Sequence, residues 1–214
     1  MREENKKMTI EELLEKYPEG TAKGFAGYCD ELTAWQMIVD VATQVQSPSV
    51  PPGGEDWHAP MEISPSCIAI NGNVFVLVPL QDCHDDTFVA PELIGGKTTA
   101  TEKSAVWSLA ATVFRMVMGC NIMNGRGGKA QKATSKLPFM RSEMPEMSRL
   151  VQQCLDYDAS KRPTLAEVLA TAKNNLERCK EELKDGPRMK PETASSTSAV
   201  EADSSAWPEE MIPT

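Results

Sequence analysis

The chain has 214 residues, of which 41% are hydrophobic and 25% charged, as expected for a globular protein with one domain and tails. Its formal net charge is −9 at pH 7, which argues against a nucleic-acid partner and suits either a basic protein partner or simple solubility. No apolar run approaches the roughly 20 residues of a membrane span, and the charged residues 1–7 are unlike a signal peptide, so we expect a cytoplasmic protein with no membrane partner.

The cysteines and histidines do not form a recognisable metal site. Six cysteines are irregularly spaced without a CxxC pair, and the two histidines, His58 and His84, are far apart. In a cytoplasmic protein such cysteines are expected to be reduced and mostly buried. We therefore expect neither a bound metal nor a cofactor.

Two helices are predicted in the N-terminal part of the chain. Residues 9–12 (TIEE) form a capping box that opens a short helix, which must end before Pro18. From about residue 31 to 45, apolar residues recur with the i, i+3, i+4, i+7 spacing of a buried helical stripe that includes Trp35.

The middle of the chain predicts a loop followed by a β-hairpin. Four prolines and a Gly-Gly pair prevent a helix over residues 46–60. Residues 67–70 and 74–78 are apolar runs separated by Asn71-Gly72-Asn73, and Asn-Gly between such runs is a strong hairpin signal.

The C-terminal half predicts a helical core. Residues 101–118 are apolar around most of the helix circumference, which places Trp107 in a central buried helix. A Gly-rich loop is expected at 125–128, with helices at about 146–155 and 164–183. We expect a flexible N-terminus over 1–8, a domain over 9–183 and a disordered acidic tail over 184–214.

Three short motifs occur in the order found in the helical lobe of protein kinases. They are FVAPE at 88–92, AVWSLA at 105–110 and KRPT at 161–164, and the resemblance covers roughly residues 31–175. It implies a mainly α fold: a kinase C-lobe-like domain with a small β-hairpin. Because only about thirty residues precede the first C-lobe-like helix, no nucleotide-binding N-lobe is expected. In that family the glutamate of the first motif pairs with the arginine of the third, which predicts a structural ion pair between Glu92 and Arg162.

The same resemblance places unsuitable groups at the catalytic positions. Glu62 stands where the catalytic Asp is expected, Cys67 replaces the metal-binding Asn, and Val78 replaces the metal-binding Asp. Magnesium demands oxygen ligands, and phosphoryl transfer depends on positioning and charge neutralisation by metal and Lys. We therefore expect no enzyme activity and no ATP binding. Asp82, Asp85 and Asp86 follow closely, and we interpret them as a solvated acidic loop, with a substitute metal site as the alternative.

Two branches of the kinase-like proteins are similar to this chain. A short helix followed directly by a C-lobe-like region resembles the KIND domain, an interaction module that receives peptide segments from partners, including basic ones. Residues 127–131 and 150–155 are instead similar to eukaryotic-like kinases of bacteria. The sequence leaves descent from either branch open.

Candidate partner-binding residues lie in two places. Phe139, Met140, Met144 and Met147 form an apolar cluster in a region that serves as a docking surface in kinases, and the alternative is that they pack a loop against the core. Trp207 belongs to an isolated apolar cluster in the acidic tail, which has the character of a short linear motif or is incidental.

These observations favour a catalytically inactive kinase-like scaffold that acts as a protein–protein interaction or regulatory module. The expected partner is a protein segment, basic segments included. Two alternatives are a divergent Ser/Thr protein kinase and a regulatory subunit that docks on an active kinase.

Overall fold

The structure, a computed structural model, describes residues 8–16, 29–46, 62–78, 85–96, 98–137, 140 and 142–184. Over these residues the domain is mainly helical. The helices are α1 (Ile10–Lys16), α2 (Glu31–Gln46), α3 (Glu102–Met118), α4 (Gly127–Ala130), α5 (Pro145–Cys154) and α6 (Leu165–Lys184), and the strands are β1 (Ile68–Asn71) and β2 (Val74–Leu77). Short 3₁₀ turns occupy Pro65–Cys67, Asp86–Phe88, Pro91–Leu93 and Ala159–Lys161.

The N-terminal helix α1 begins at the predicted capping box. The Thr9 backbone N–H donates to Glu12 Oε2 (2.9 Å), and the Glu12 N–H donates to Thr9 Oγ1 (3.2 Å). Two backbone donors that would otherwise lack partners are thereby satisfied. The helix buries Ile10 and Leu14 against the domain.

The β-hairpin has the predicted strands, but its tight turn is shifted by one residue from the Asn-Gly pair. Asn71 pairs with Val74, so Gly72 and Asn73 are the central turn residues. Gly72 has φ +63°, whereas Asn73 does not have the positive φ that a type I′ turn requires at both central residues. Gly at the first central position is typical of type II′ turns, which fit the twist of the strands as well as type I′ turns do.

Both edges of this two-stranded sheet are covered. On the β1 side, Ile70 N–H donates to the Met8 carbonyl (2.8 Å), and Thr9 forms a bridge with Ala69. On the β2 side, side chains of α2 form the hydrogen bonds with the β2 backbone that a third strand would form. Asp40 Oδ2 accepts from the Phe75 N–H (2.9 Å), and Gln44 donates to the Phe75 carbonyl (2.8 Å) and accepts from the Leu77 N–H (3.0 Å). These backbone groups at the two edges of the sheet therefore have hydrogen-bond partners, which stabilises a sheet of only two strands.

The central helix α3 is buried along nearly its whole length, as its sequence predicts. Thr101 is its N-cap, and Gly119 ends it in the left-handed conformation at φ 72°. Trp107 and Trp35 are both fully buried. The Trp107 indole N–H donates to Gln131 Oε1 (2.9 Å), and Gln131 in turn donates to the Leu155 carbonyl (2.6 Å), so the core tryptophan connects α3 to the end of α5.

The expectation of a loop over residues 125–128 is wrong at its second half, because Gly127 and Gly128 begin the short helix α4. A Cβ added at Gly127 would lie 2.0 Å from the Thr87 carbonyl oxygen, and one at Gly128 would lie 2.2 Å from the Val89 carbonyl oxygen. These glycines allow the backbone of α4 to lie directly against the segment that precedes Glu92. Sequence alone cannot separate this requirement from the turn-forming use of glycine.

The last two helices begin and end within one or two residues of the predicted bounds. Helix α6 packs along α2 and buries a stripe of six side chains, Leu165, Val168, Leu169, Ala172, Leu176 and Cys179. None of the helices in the described ranges is long and apolar enough to cross a membrane.

Candidate functional site

The positions of Cys67 and Val78 meet at the base of the hairpin. The Val78 N–H donates to the Cys67 carbonyl (2.9 Å), which joins the residue before β1 to the residue after β2. The charge of Glu62 contributes to raising the pKa of the Cys67 thiol, so this carboxylate also lies in the neighbourhood. The structure thus gathers the three residues that the sequence assigned to catalytic positions.

The Cys67 side chain is fully buried, and backbone groups of Ser64 surround its sulfur. Sγ accepts from the Ser64 N–H (3.1 Å) and donates to the Ser64 carbonyl (3.1 Å). Burial raises the pKa of this thiol, so it stays protonated at neutral pH. A buried neutral thiol closes the turn that precedes β1, and it offers no oxygen to a hard cation.

The acidic residues after the hairpin serve in part as local structure. Asp85 caps the Asp86–Phe88 turn by accepting from the Thr87 N–H (2.8 Å). Asp86 is exposed and lies 3.9 Å from Lys129 Nζ. No group of three or more His, Cys, Asp or Glu side chains in the described part of the chain is close enough to hold a metal ion, and Asp82 lies outside that part.

Glu92 and Arg162 form a bidentate ion pair. Arg162 Nη1 and Nη2 each donate to one carboxylate oxygen of Glu92 at 2.8 Å, and Ser104 Oγ donates to Glu92 Oε1 at 2.9 Å. Burial acts to raise the pKa of Glu92, but these hydrogen bonds and the Arg162 charge outweigh it, so the pKa lies below its ordinary value. The carboxylate is therefore charged throughout the physiological pH range.

The arginine of this pair is also a hub for the backbone. Its Nε donates to the Asp156 carbonyl (2.7 Å), while Nη1 and Nη2 reach the carbonyls of Lys103 (3.0 Å) and Tyr157 (3.3 Å). Only 2% of Arg162 is exposed. One guanidinium thus satisfies the start of α3, the segment after α5 and the Pro91–Leu93 turn together.

The residues proposed from sequence for partner binding are not presented on a common surface. Met140, Met144 and Met147 are buried in the core, which corresponds to the packing alternative. A partner that used these side chains would have to displace core contacts. Phe139 and Trp207 lie outside the described residues.

The structure has a concave surface that the sequence analysis missed. This groove has a volume of about 470 Å³ and is bounded by α1, α2, the hairpin and the end of α6. Its walls are mainly apolar, with Lys180 at one side; the lining includes Leu13, Leu32, Ile70, Phe75 and Met116. The signal in the sequence was Leu13, a third apolar residue on a helix of seven residues that buries only two.

Residues 76–172 match the family model described as the protein kinase domain. The fold is kinase-like. The match begins within β2, ends within α6 and takes in both Glu92 and Arg162. It covers just under half of the chain and does not reach Glu62 or Cys67. The described residues before β1 form helices α1 and α2 and the turn at Pro65–Cys67, so the described part of the chain has a C-lobe-like helical domain without a full N-lobe.

Proposed function

We propose that the protein is a catalytically inactive kinase-like module whose role is to bind another protein. The observation that carries this proposal is the state of Cys67. At the position of the metal-binding Asn, the chain has a buried sulfur that is hydrogen-bonded on both sides to Ser64. The Cys67 sulfur is thus used in the packing and hydrogen bonding of this turn. A thiol offers no oxygen ligand, which is what magnesium requires.

The neighbouring positions support the same conclusion. Val78 has no side-chain oxygen where the family has its essential metal carboxylate, and Glu62 is one methylene longer than the catalytic Asp. Phosphoryl transfer requires the metal ions to bridge and neutralise the phosphates. By contrast, the ion pair that stabilises the lobe, Glu92 with Arg162, is complete. Structural elements of the family are thus retained while the catalytic ones are replaced.

We further propose that the module acts in the cytoplasm, in the manner of KIND domains, and that its partner is a protein segment with basic character. The net charge of −9 favours such a partner electrostatically. A regulatory subunit that docks on an active kinase is a special case of the same function. Binding of short basic peptides to the full chain, weakened by added salt and stronger than that of acidic peptides of equal length, is the expected result in fluorescence anisotropy.

A thermal-shift titration with ATP, with and without Mg²⁺ or Mn²⁺, tests the inactive assignment. A ligand at 100 times its dissociation constant adds about 2.7 kcal/mol to the free energy of unfolding, which shifts the melting temperature measurably. We expect no shift under any of these conditions, with an active protein kinase as the positive control. A metal-dependent shift that disappears in Glu62→Gln or Asp82→Asn would overturn the proposal in favour of a divergent kinase.

A further inference from the structure

The groove described above is large enough for several side chains and is unfilled by the described residues. Its volume of about 470 Å³ falls within the roughly 300–1,000 Å³ of ligand pockets. Leu13 on α1, Leu32 on α2, Phe75 on β2 and Met116 on α3 are among its lining residues.

The apolar stripe of α6 continues past the core. Leu176 and Cys179 are buried, but Leu183, one turn later on the same stripe, is 68% exposed. Lys180 lines the groove, and the described part of the chain ends one turn later at Lys184. Helix α6 therefore ends about one turn beyond the groove.

Residues 185–214 contain a segment with matching chemistry. Trp207, Met211 and Ile212 are the large apolar residues near its end, and Glu209 and Glu210 lie between them. The apolar residues suit the leucine and phenylalanine side chains of the groove, and the carboxylates suit Lys180, whose Nζ also pairs with the exposed Glu177 at 2.9 Å. Acidic and neutral residues make up most of this segment, so its approach to Lys180 meets little charge repulsion.

The length of the connection permits the contact. Twenty-two residues lie between Lys184 and Trp207, and a flexible chain of that length has an end-to-end distance of about 25 Å, comparable to the dimensions of a small domain. Tethering at this length gives an effective concentration in the millimolar range. A contact with a dissociation constant well below about a millimolar is then mostly formed.

We propose that residues 207–212 of the tail occupy the groove between α1, α2 and the hairpin of the same molecule. Trp207 and Met211 fill the apolar part, and Glu209 or Glu210 approaches Lys180. An outside segment that enters the groove must first displace the tail, so the tail acts as an intramolecular competitor. This proposal does not depend on whether the domain binds ATP.

The first test is photo-crosslinking of the full chain with benzoyl-phenylalanine in place of Trp207, followed by mass spectrometry of the linked peptides. We expect crosslinks to residues 10–14, 32–36 or 70–75 in a monomeric species. A crosslinker in place of Ser196, in the same tail but outside the apolar cluster, serves as the control and should give few of these links. Links elsewhere on the domain, or links confined to a covalent dimer, would overturn the proposal.

The second test is hydrogen–deuterium exchange of the full chain. The double variant Trp207→Ala/Met211→Ala should speed exchange of α1 and of the hairpin turn several-fold, and a millimolar synthetic peptide of residues 201–214 should restore their protection. Lys180→Glu should speed the same amides, whereas Lys173→Glu, an exposed charge reversal on the same helix, should not. Unchanged protection in the double variant means that something other than the tail covers the groove, such as residues 17–28 or a second copy, and the proposal fails.

Discussion

Glu92 and Arg162, 70 residues apart in the chain, are joined by two hydrogen bonds of 2.8 Å between a fully buried guanidinium and a carboxylate that is 22% exposed. The pair connects the Pro91–Leu93 turn to the segment before α6. Three backbone carbonyls share the same guanidinium, so the arginine holds together parts of the domain that are distant in sequence.

Replacing Arg162 should therefore strongly destabilise the domain. In Arg162→Ala the Glu92 carboxylate and three carbonyls lose their donor, and we expect a loss of about 3–5 kcal/mol in the free energy of unfolding. Urea denaturation followed by circular dichroism measures it. Arg149→Ala, which removes an exposed arginine paired with Glu146, is the matched control and should cost less than about 1 kcal/mol. Equal, small effects of the two substitutions would show that the pair does not support the fold.

The same pair predicts acid sensitivity. Because the pKa of Glu92 is lower in the folded than in the unfolded chain, the pair contributes stability above the unfolded value of 4.5, and this contribution is lost as the pH falls below it. The melting temperature should drop between about pH 5 and pH 3, and Glu92→Gln should show a shallower drop over that range. An equal drop in melting temperature for the two proteins would show that ionisation of Glu92 does not stabilise the fold.

The glycines of α4 provide a test of close backbone packing. Gly127→Ala and Gly128→Ala would place a methyl group 2.0 and 2.2 Å from carbonyl oxygens, so each should cost about 3 kcal/mol or more or prevent folding. Gly125→Ala is the matched control, because Gly125 has φ +80° but open space around the added methyl group. It should cost only the conformational strain of about 1–2 kcal/mol. Thermal denaturation compares the three variants.

The cysteines should differ widely in reactivity. Cys120 is exposed, whereas Cys154 is buried and its pKa is raised to about 12 by burial, so its reactive thiolate is scarce at pH 8. Brief iodoacetamide treatment followed by peptide mass spectrometry should label Cys120 and leave Cys154 unmodified. Labelling in 8 M urea is the control, and there both should react at similar rates. Rapid native labelling of Cys154 would contradict its place in the core.

Local patterns predicted much of the fold because the deciding interactions are close in sequence. The capping box at Thr9 and Glu12 forms between residues three apart, and the stripes of α2, α3 and α6 follow from helical periodicity. The hairpin followed from two apolar runs around a Gly turn. The family motifs also indicated that Glu92 and Arg162 should meet, which no periodicity could have done.

The rest was decided by contacts between distant segments. Sequence marked Gly127 and Gly128 as a loop, because nothing local shows that the carbonyls of Thr87 and Val89 lie against them. It left open whether three methionines form a docking surface or pack a loop against the core, since an apolar residue suits both environments, and Met140, Met144 and Met147 are buried in the structure. Nor could it show that Asp40 and Gln44 complete the edge of β2.

What the sequence by itself determined is which helices and strands form, and its resemblance to kinases predicts which catalytic groups are replaced. Only the tertiary structure decided where the described elements leave a groove. The groove exists because α1, α2, the hairpin and α6 leave space between them, and a cavity is a property of how elements pack rather than of any one element. Burial of the Cys67 sulfur is likewise decided by the tertiary structure, because the core encloses the turn at Ser64.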